Sequence, residues 1–300
     1  MATTLIQDPP VRQRAAAAPV RRRSGNGTAS RVLLHVLLGV GGFLMVAPFL
    51  WMLLTSFKSL PQIITDPLGL FPAPWNFANY ADAWNAAPFG LAYWNSIYIC
   101  VLTVAGTILT ASMAAYAFAR IEFRGSKFLF VLFLATQMVP QQVTIVPLYM
   151  VFSALGWVDT HLALIIPAVL CNPFAVFLVR QFIRSLPVEL EEAARLDGAG
   201  RWRILFSIVL PNIKPGLAAL SIVVALGAWN NFFLPLIVLN SEDQFTVPLL
   251  LSQFTGQYGG INYSLVMAAS AISIVPMLIA FLIGNRKILN SMAMSGMGGS

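Results

Sequence analysis

Long apolar runs alternate with shorter polar segments along this 300-residue chain. A helix needs about 20 residues to cross a bilayer, and six of the runs are close to that length or longer. Their bounds are 32–57, 93–119, 128–152, 162–179, 216–239 and 263–284. The pattern therefore predicts an all-α integral membrane protein with six transmembrane helices, which form one domain over residues 31–290.

The composition agrees with a membrane protein and excludes an ordinary soluble domain. Hydrophobic residues make up 58% of the chain and charged residues 10%, whereas soluble domains carry about 25% charged residues. The net charge of +7 is not gathered on one face, so no nucleic-acid partner is expected. Cys100 and Cys171 both lie in apolar runs, and their spacing predicts neither a disulfide nor a metal site.

The basic residues indicate the orientation in the membrane. Every Lys and Arg except Lys58 falls in the two termini or in the segments that follow the second and fourth apolar runs. By the positive-inside rule, those segments and both termini are cytoplasmic. Residues 1–30 are predicted to be a disordered basic tail, and residues 291–300 a flexible C-terminal tail.

Prolines and loops interrupt this regular pattern. The third run contains Pro140 and Pro147, so its helix is expected to be broken or kinked. Residues 58–92 are rich in proline and tryptophan, which is typical of the membrane interface. Residues 240–262 are predicted to be a polar loop.

A charged segment, residues 182–212, separates the fourth and fifth runs and contains E-E-A-A-R-L-D-G-A-G-R-W-R. Ser185 is predicted to cap a helix that has Pro187 in its first turn. Glu191 and Arg195 are expected on the polar side of this helix. Its apolar side is predicted to carry Leu186, Leu190, Ala193 and Ala194.

A glycine corner is expected to end this helix. Gly198, which follows Asp197, suits a left-handed C-terminal cap, and a second apolar stripe runs from Trp202 to Pro211. Helix, corner and helix form either a surface helix that rests on lipid headgroups or a compact knob that fits a groove on a partner protein.

The same residues resemble a known motif. The pattern E-A-A-x-x-D-G-A is similar to the EAA loop of permease subunits of binding-protein-dependent ABC importers. The resemblance implies a coupling helix that docks into a cleft of a cytoplasmic ATPase. It further implies that the docking residues are Glu192, Ala193, Ala194, Asp197, Gly198, Ala199 and Arg201.

The predicted spans carry no acidic or basic side chain well inside the bilayer, whereas proton-driven carriers normally place such groups along their path. The chain also has no G-x-x-x-x-G-K-[ST] phosphate loop, so it is not expected to be an ATPase. It is predicted to be a transport subunit that binds no cofactor itself. ATP and Mg are expected on a partner ATPase that supplies the energy.

Neutral amides lie in the predicted spans instead of charges. Amides near aromatic rings suit an uncharged sugar, although they also serve as hydrogen-bonding links between helices. The candidate substrate-path residues are Gln137, Gln141, Asn172, Asn230 and Asn231.

Residues 138–149, 155–167 and 228–232 resemble the carbohydrate branch of these permeases, and in particular the type of the smaller maltose-importer permease subunit. The resemblance implies import of a sugar or oligosaccharide in the inner membrane of a prokaryote. It also implies a heterodimer with a second permease subunit, an ATPase dimer and an extracytoplasmic solute-binding protein. The candidate contacts with the binding protein are Gln253, Gln257 and Tyr258. An importer for amino acids or polyamines, or a secondary transporter, remains the alternative.

Overall fold

The structure is a computed structural model that describes residues 27–170, 172–254 and 262–296. The described residues form helices and connecting turns, without a strand. The chain divides into two compact units, residues 1–48 and 49–300. Helix α1, Gly27–Thr55, begins within the predicted tail and contains Pro48, as the sequence indicates. Residues 1–26 of that tail lie outside the described part.

Two short helices, α2 (Leu60–Thr65) and α3 (Ala78–Ala86), lie in the segment that is rich in proline and tryptophan. Asn79 of α3 is buried and donates to the carbonyls of Ser56 (2.7 Å) and Lys58 (2.9 Å). Since these carbonyls follow α1, the amide fixes α3 to the end of that helix.

Helix α4, Phe89–Arg120, packs against many other helices of the second unit, and small residues such as Ala111 and Ala115 are buried on it. Helices α5 (Ser126–Ala135) and α6 (Gln141–Ala154) follow and are bent by 100° relative to each other. The break comes at Pro140, because proline has no N–H to continue the helix and holds the preceding residue extended. The predicted interruption is confirmed there, whereas Pro147 lies inside α6.

The fourth apolar run forms two helices, α7 (Leu162–Leu170) and α8 (Pro173–Ser185). The Asn172 side chain caps α8 by accepting from the Ala175 N–H at 2.9 Å. The predicted cap by Ser185 is wrong, because its hydroxyl donates to the Phe182 carbonyl at 2.8 Å in the last turn of α8.

The charged segment is helical. Its elements are α9 (Glu189–Leu196), α10 (Arg201–Ile204), a π-helical turn (Leu205–Val209) and α11 (Leu210–Asn212). The fifth apolar run follows as α12, Lys214–Trp229, and α13, Phe233–Val238.

The prediction of a polar loop over residues 240–262 is wrong in part. Residues 247–253 form helix α14, Val247–Gln253, in which Val247, Leu249 and Leu250 are buried. The apolar letters V-P-L-L-L explain the helix, since they bury against α4 and the last helix rather than face water. That last helix, α15, is Tyr263–Gly296 and therefore extends into the predicted C-terminal tail.

Four helical segments of the described part are long and apolar enough to cross a membrane, or five if the bent pair α5 and α6 counts as one span. The four segments are Ser30–Thr55, Phe89–Arg120, Leu162–Ser185 and Lys214–Val238. The apolar part of α15, Tyr263–Ile279, is shorter. A multi-pass membrane protein is thus supported. Cys100 is a free thiol, and Cys171 lies outside the described residues.

Candidate functional site

Helix α9, the turn at Gly198 and helix α10 form a helical corner, residues 189–204. Gly198 has a φ of +79°, the left-handed region that favours glycine. Its N–H donates to the Arg195 carbonyl at 3.0 Å, and the Ala199 N–H donates to the Ala194 carbonyl at 2.9 Å. This pair of bonds is the Schellman arrangement, so the predicted glycine corner is confirmed.

The buried face of α9 differs from the predicted one. Glu191 is 1% exposed and Ala194 7%, whereas Leu190 is 45% exposed and Leu196 90%. The placement of Glu191 on a solvent-facing side and Leu190 on a buried side is therefore wrong. The helix buries a charged residue because an ion pair compensates for the loss of water.

That ion pair joins α9 to the end of α4. Arg120 Nε lies 2.6 Å from Glu191 Oε1, and the Tyr116 hydroxyl donates to Glu191 Oε2 at 3.1 Å. Arg120 Nη2 also donates to the carbonyls of Ile183 (2.9 Å) and Leu186 (2.8 Å), where α8 ends. One guanidinium therefore links α4, α8 and α9. We call the side chains of Tyr116, Arg120 and Glu191 the buried clamp.

The residue pattern did not predict the clamp. The one signal in the sequence is the position of Arg120 at the end of a long apolar run, where arginine side chains usually turn outward to water. Here the side chain of Arg120 is 10% exposed and that of Glu191 2%. Removing one partner of such a pair leaves an uncompensated buried charge, so the clamp fixes α9 firmly to the membrane helices.

The predicted docking residues fall into two groups. Glu192, Ala193, Asp197, Gly198 and Arg201 are exposed on the helical corner. Ala194 is buried and Ala199 is half-buried, and both pack in the interior cluster beneath the corner, which leaves the exposed residues to form any docking surface.

Aromatic residues extend this surface. Trp202 and Phe206 are 63% and 44% exposed, and their rings stack with centroids 6.2 Å apart. A cavity of about 450 Å³ lies between the corner and the end of α4, and its lining includes the polar residues Arg120, Glu122 and Arg201. An exposed patch with apolar and charged parts is typical of a protein interaction site.

A second cavity, which we call the polar cavity, holds about 210 Å³ between α4, α7, α8, α12, α13 and the start of α14. Its polar lining comes from Ser96, Thr103, Asn172, Asn231 and Thr246. None of the described residues that line it is acidic or basic, so its chemistry suits a neutral polar group.

The structure brings only part of the predicted substrate path together. Asn172 and Asn231 line the polar cavity. Gln137, Gln141 and Asn230 are exposed and lie outside its lining, and the Asn230 amide donates to the Leu226 carbonyl at 3.0 Å. Thr103 and Thr246 were missed, because one hydroxyl in an apolar run and one in a predicted polar loop give no distinctive pattern.

Of the candidate binding-protein contacts, Gln253 is the last residue of α14 and is half-buried. Gln257 and Tyr258 lie outside the described residues. Asp159 binds the start of the segment that leads from residue 240 to α14. Its carboxylate accepts hydrogen bonds from the N–H groups of Asn240 (2.8 Å) and Ser241 (2.9 Å). Burial raises the pKa of Asp159, but the hydrogen bonds from Ser241 and Asn240 together outweigh it and hold this pKa below its ordinary value.

Sequence comparison places this assembly of helices in a known class. Residues 106–288 match the model of the family described as binding-protein-dependent transport system inner membrane component. The chain belongs to this family of ABC importer permeases, as the E-A-A-x-x-D-G-A motif predicted.

Individual relatives are similar along most of their length. The chain is 35% identical to the diacetylchitobiose uptake system permease protein of Streptomyces coelicolor, over 86% of each chain. It is 36% identical to the arabinooligosaccharides transport system permease protein of Halalkalibacterium halodurans, over 86% of this chain and 92% of that one. It is 33% identical to the trehalose/maltose transport system permease protein of Thermococcus litoralis, over 89% and 98%.

A solved structure shares the fold. A chain of a bacterial ABC transporter involved in import of the acidic polysaccharide alginate superposes with a TM-score of 0.78 at 23% identity. The superposition covers 90% of this chain and 99% of that chain. The helices described above therefore adopt an ABC permease fold.

Proposed function

We propose that this chain is the transmembrane permease subunit of an ATP-driven ABC importer. With a second permease subunit it forms the translocation path for a sugar or oligosaccharide that an extracytoplasmic binding protein delivers. The observation that carries this proposal is the similarity of nearly the whole chain to permease proteins of sugar systems. The uncharged lining of the polar cavity supports a neutral solute over an amino acid or a polyamine.

The helical corner is the part of the chain that contacts the ATPase and is moved when ATP binds there. Its exposed residues, among them Glu192, Asp197 and Arg201, dock on an ATPase dimer that binds ATP and Mg. Closure of that dimer moves α9, and the buried clamp passes the movement to α4 and α8. Coupling requires that the corner make different contacts in the two states of the dimer. Contacts of equal strength in both states would not shift the equilibrium between the conformations of the permease.

The topology follows from the charge distribution. The bent pair α5 and α6 counts as the third span and the apolar part of α15 as the sixth, so both termini lie on one side. That side carries nearly all Lys and Arg residues and is cytoplasmic. The chain lies in the inner membrane of a prokaryote. The segment with Gln253, Gln257 and Tyr258 then faces the binding protein on the opposite side.

Co-purification from the native host tests this proposal. Tagged protein is extracted in mild detergent after cross-linking, and the proteins that accompany it are identified by mass spectrometry. We expect a second six-span permease and an ATPase with a phosphate loop. A chain that purifies alone, together with unchanged solute uptake after its deletion, would favour a self-sufficient carrier or no transport role.

A further inference from the structure

Two threonines that line the polar cavity have buried hydroxyls without a hydrogen-bond partner among the described residues. Thr103 is 4% exposed and Thr246 5%, and the Oγ1 atom of neither bonds to any atom of the described residues. A buried polar group without a partner costs about 1–3 kcal/mol. Such groups are rare in folded proteins.

Two other threonines of α4 use their hydroxyls in hydrogen bonds. Thr110 Oγ1 donates to the carbonyl of Gly106, four residues earlier, at 3.0 Å. Thr107 Oγ1 donates to the Ala168 carbonyl of α7 at 3.2 Å. Thr103 lies one turn before Thr107 on the same helix and lines the cavity, yet its buried hydroxyl has no partner among the described residues.

Thr246 is in an equally unusual position. It precedes the first residue of α14, where a threonine normally accepts a bond from a backbone N–H of its own helix. No such cap is formed. The Thr246 hydroxyl is buried without a partner among the described residues, and Thr246 lines the polar cavity.

The rest of the lining completes a mixed polar and apolar site. Ile99, Leu164 and Phe174 give apolar walls, and the amides of Asn172 and Asn231 add polar groups to the two hydroxyls. The volume of about 210 Å³ equals that of about seven waters at roughly 30 Å³ each. One sugar ring has a comparable size, with hydroxyls for the polar groups and C–H faces for the apolar walls.

We propose that the polar cavity is a subsite that holds one sugar ring of the transported saccharide, with Thr103 and Thr246 as its hydroxyl ligands. This inference rests on the proposed function and adds that the subunit itself contacts the solute during passage. The hydroxyls of the sugar ring form hydrogen bonds with the hydroxyls of Thr103 and Thr246, which otherwise have no partner among the described residues. These bonds stabilise a state in which the solute has left the binding protein.

The test uses the complete complex in proteoliposomes, with diacetylchitobiose, lactose and maltose as radiolabelled probes. Thr103→Val and Thr246→Val keep the side-chain shape and remove the hydroxyl. The readout is the ratio of sugar imported to ATP hydrolysed at saturating binding protein. We expect each variant to lower this ratio about threefold to tenfold, the effect of one lost hydrogen bond, with ATP hydrolysis still stimulated.

Ser112→Ala is the matched control. Ser112 lies on the same helix and its hydroxyl is also buried without a partner, but it does not line the polar cavity. This variant should import sugar at the wild-type ratio. Gly227→Leu gives a second, independent variant, because Gly227 lines the cavity and an added Cβ would meet no atom within 4 Å. We expect it to lower the ratio by occupying the space.

The possible outcomes distinguish a failure of the proposed subsite from a failure of the proposed importer function. Wild-type ratios for both threonine variants and for Gly227→Leu would overturn the subsite and leave a cavity that holds only water. An equal loss of transport and ATP hydrolysis in the threonine variants would also overturn it, since it would indicate a role in packing alone. A wild-type complex that imports none of the probes in an ATP-dependent way would instead count against the proposed sugar importer.

Discussion

At the scale of single residues, the carboxylate of Glu191 decides how the helical corner is held. A charge that is 1% exposed is costly to bury, and three groups offset that cost. Arg120 and Tyr116 donate hydrogen bonds to the carboxylate, and Arg195 forms a longer ion pair with it at 3.8 Å. A hydrophobic contact of the same size could serve stability equally well. The ion pair also fixes the position of α9 relative to α4 and α8, because Arg120 also binds the carbonyls at the end of α8.

Glu191→Ala should destabilise the subunit strongly. It leaves the Arg120 guanidinium buried without its counter-charge, which costs about 3–5 kcal/mol. The thermal unfolding midpoint of the purified complex should fall accordingly. Glu192→Ala, at the exposed neighbouring residue, should shift stability by less than about 0.5 kcal/mol, while it lowers ATPase stimulation if the residue docks as proposed.

Replacing both partners distinguishes the ion pair from simple packing. Arg120→Met combined with Glu191→Leu removes both charges at similar volume, and we expect most of the lost stability to return. A double variant as unstable as the sum of the two single variants would show that the two charges do not act on each other.

The misplaced face of α9 shows a limit of pattern analysis. Helical periodicity assigns Glu191 to a polar side from residue type alone, and its partner Arg120 is 71 residues away. Only the fold brings the two together. Gly198 could be predicted, in contrast, because its left-handed backbone is a local requirement of the corner.

At the scale of elements, the corner depends on that glycine. An added Cβ at Gly198 would meet no atom within 4 Å, so a substitution acts through backbone strain and not through a clash. The direction in which α10 leaves α9 is therefore sensitive to this one conformation.

Gly198→Val should disturb the corner more than Gly198→Asn. A β-branched residue is strained in the left-handed region by about 1–2 kcal/mol, whereas asparagine visits that region readily. We expect the valine variant to remain in the membrane with reduced ATP hydrolysis in response to loaded binding protein, and the asparagine variant to stay close to wild type. Equal stimulation in both, measured in proteoliposomes, would count against the docking role.

Helix α14 shows where prediction of elements failed. A count of polar residues over 240–262 indicates a loop, but Val247, Leu249 and Leu250 are buried against α4 and α15. A stretch of seven residues is too short for periodicity to separate a buried helix from a loop. Four of the six long runs form segments that are long and apolar enough to cross a membrane. They were predictable because twenty apolar residues in lipid have few other solutions.

At the scale of the whole molecule, the chain is a set of membrane helices with one charged corner. The third predicted span is a pair of helices bent by 100° at Pro140, and its exposed amides Gln137 and Gln141 lie close to this break. Residue pattern located the break, but its angle depends on packing. The orientation of the chain in the membrane and its partner subunits are proposed from the distribution of charged residues and from the similarity to sugar permeases.

Energy coupling through the helical corner is the central claim, and one measurement tests it most directly. The complex is reconstituted with ATP inside the vesicles, and uptake of labelled diacetylchitobiose, lactose and maltose is followed with loaded binding protein outside. We predict that at least one sugar enters, that entry requires both ATP and the binding protein, and that Gly198→Val abolishes most of it. Uptake that persists without ATP, or that is unchanged in the Gly198→Val complex, would contradict the account.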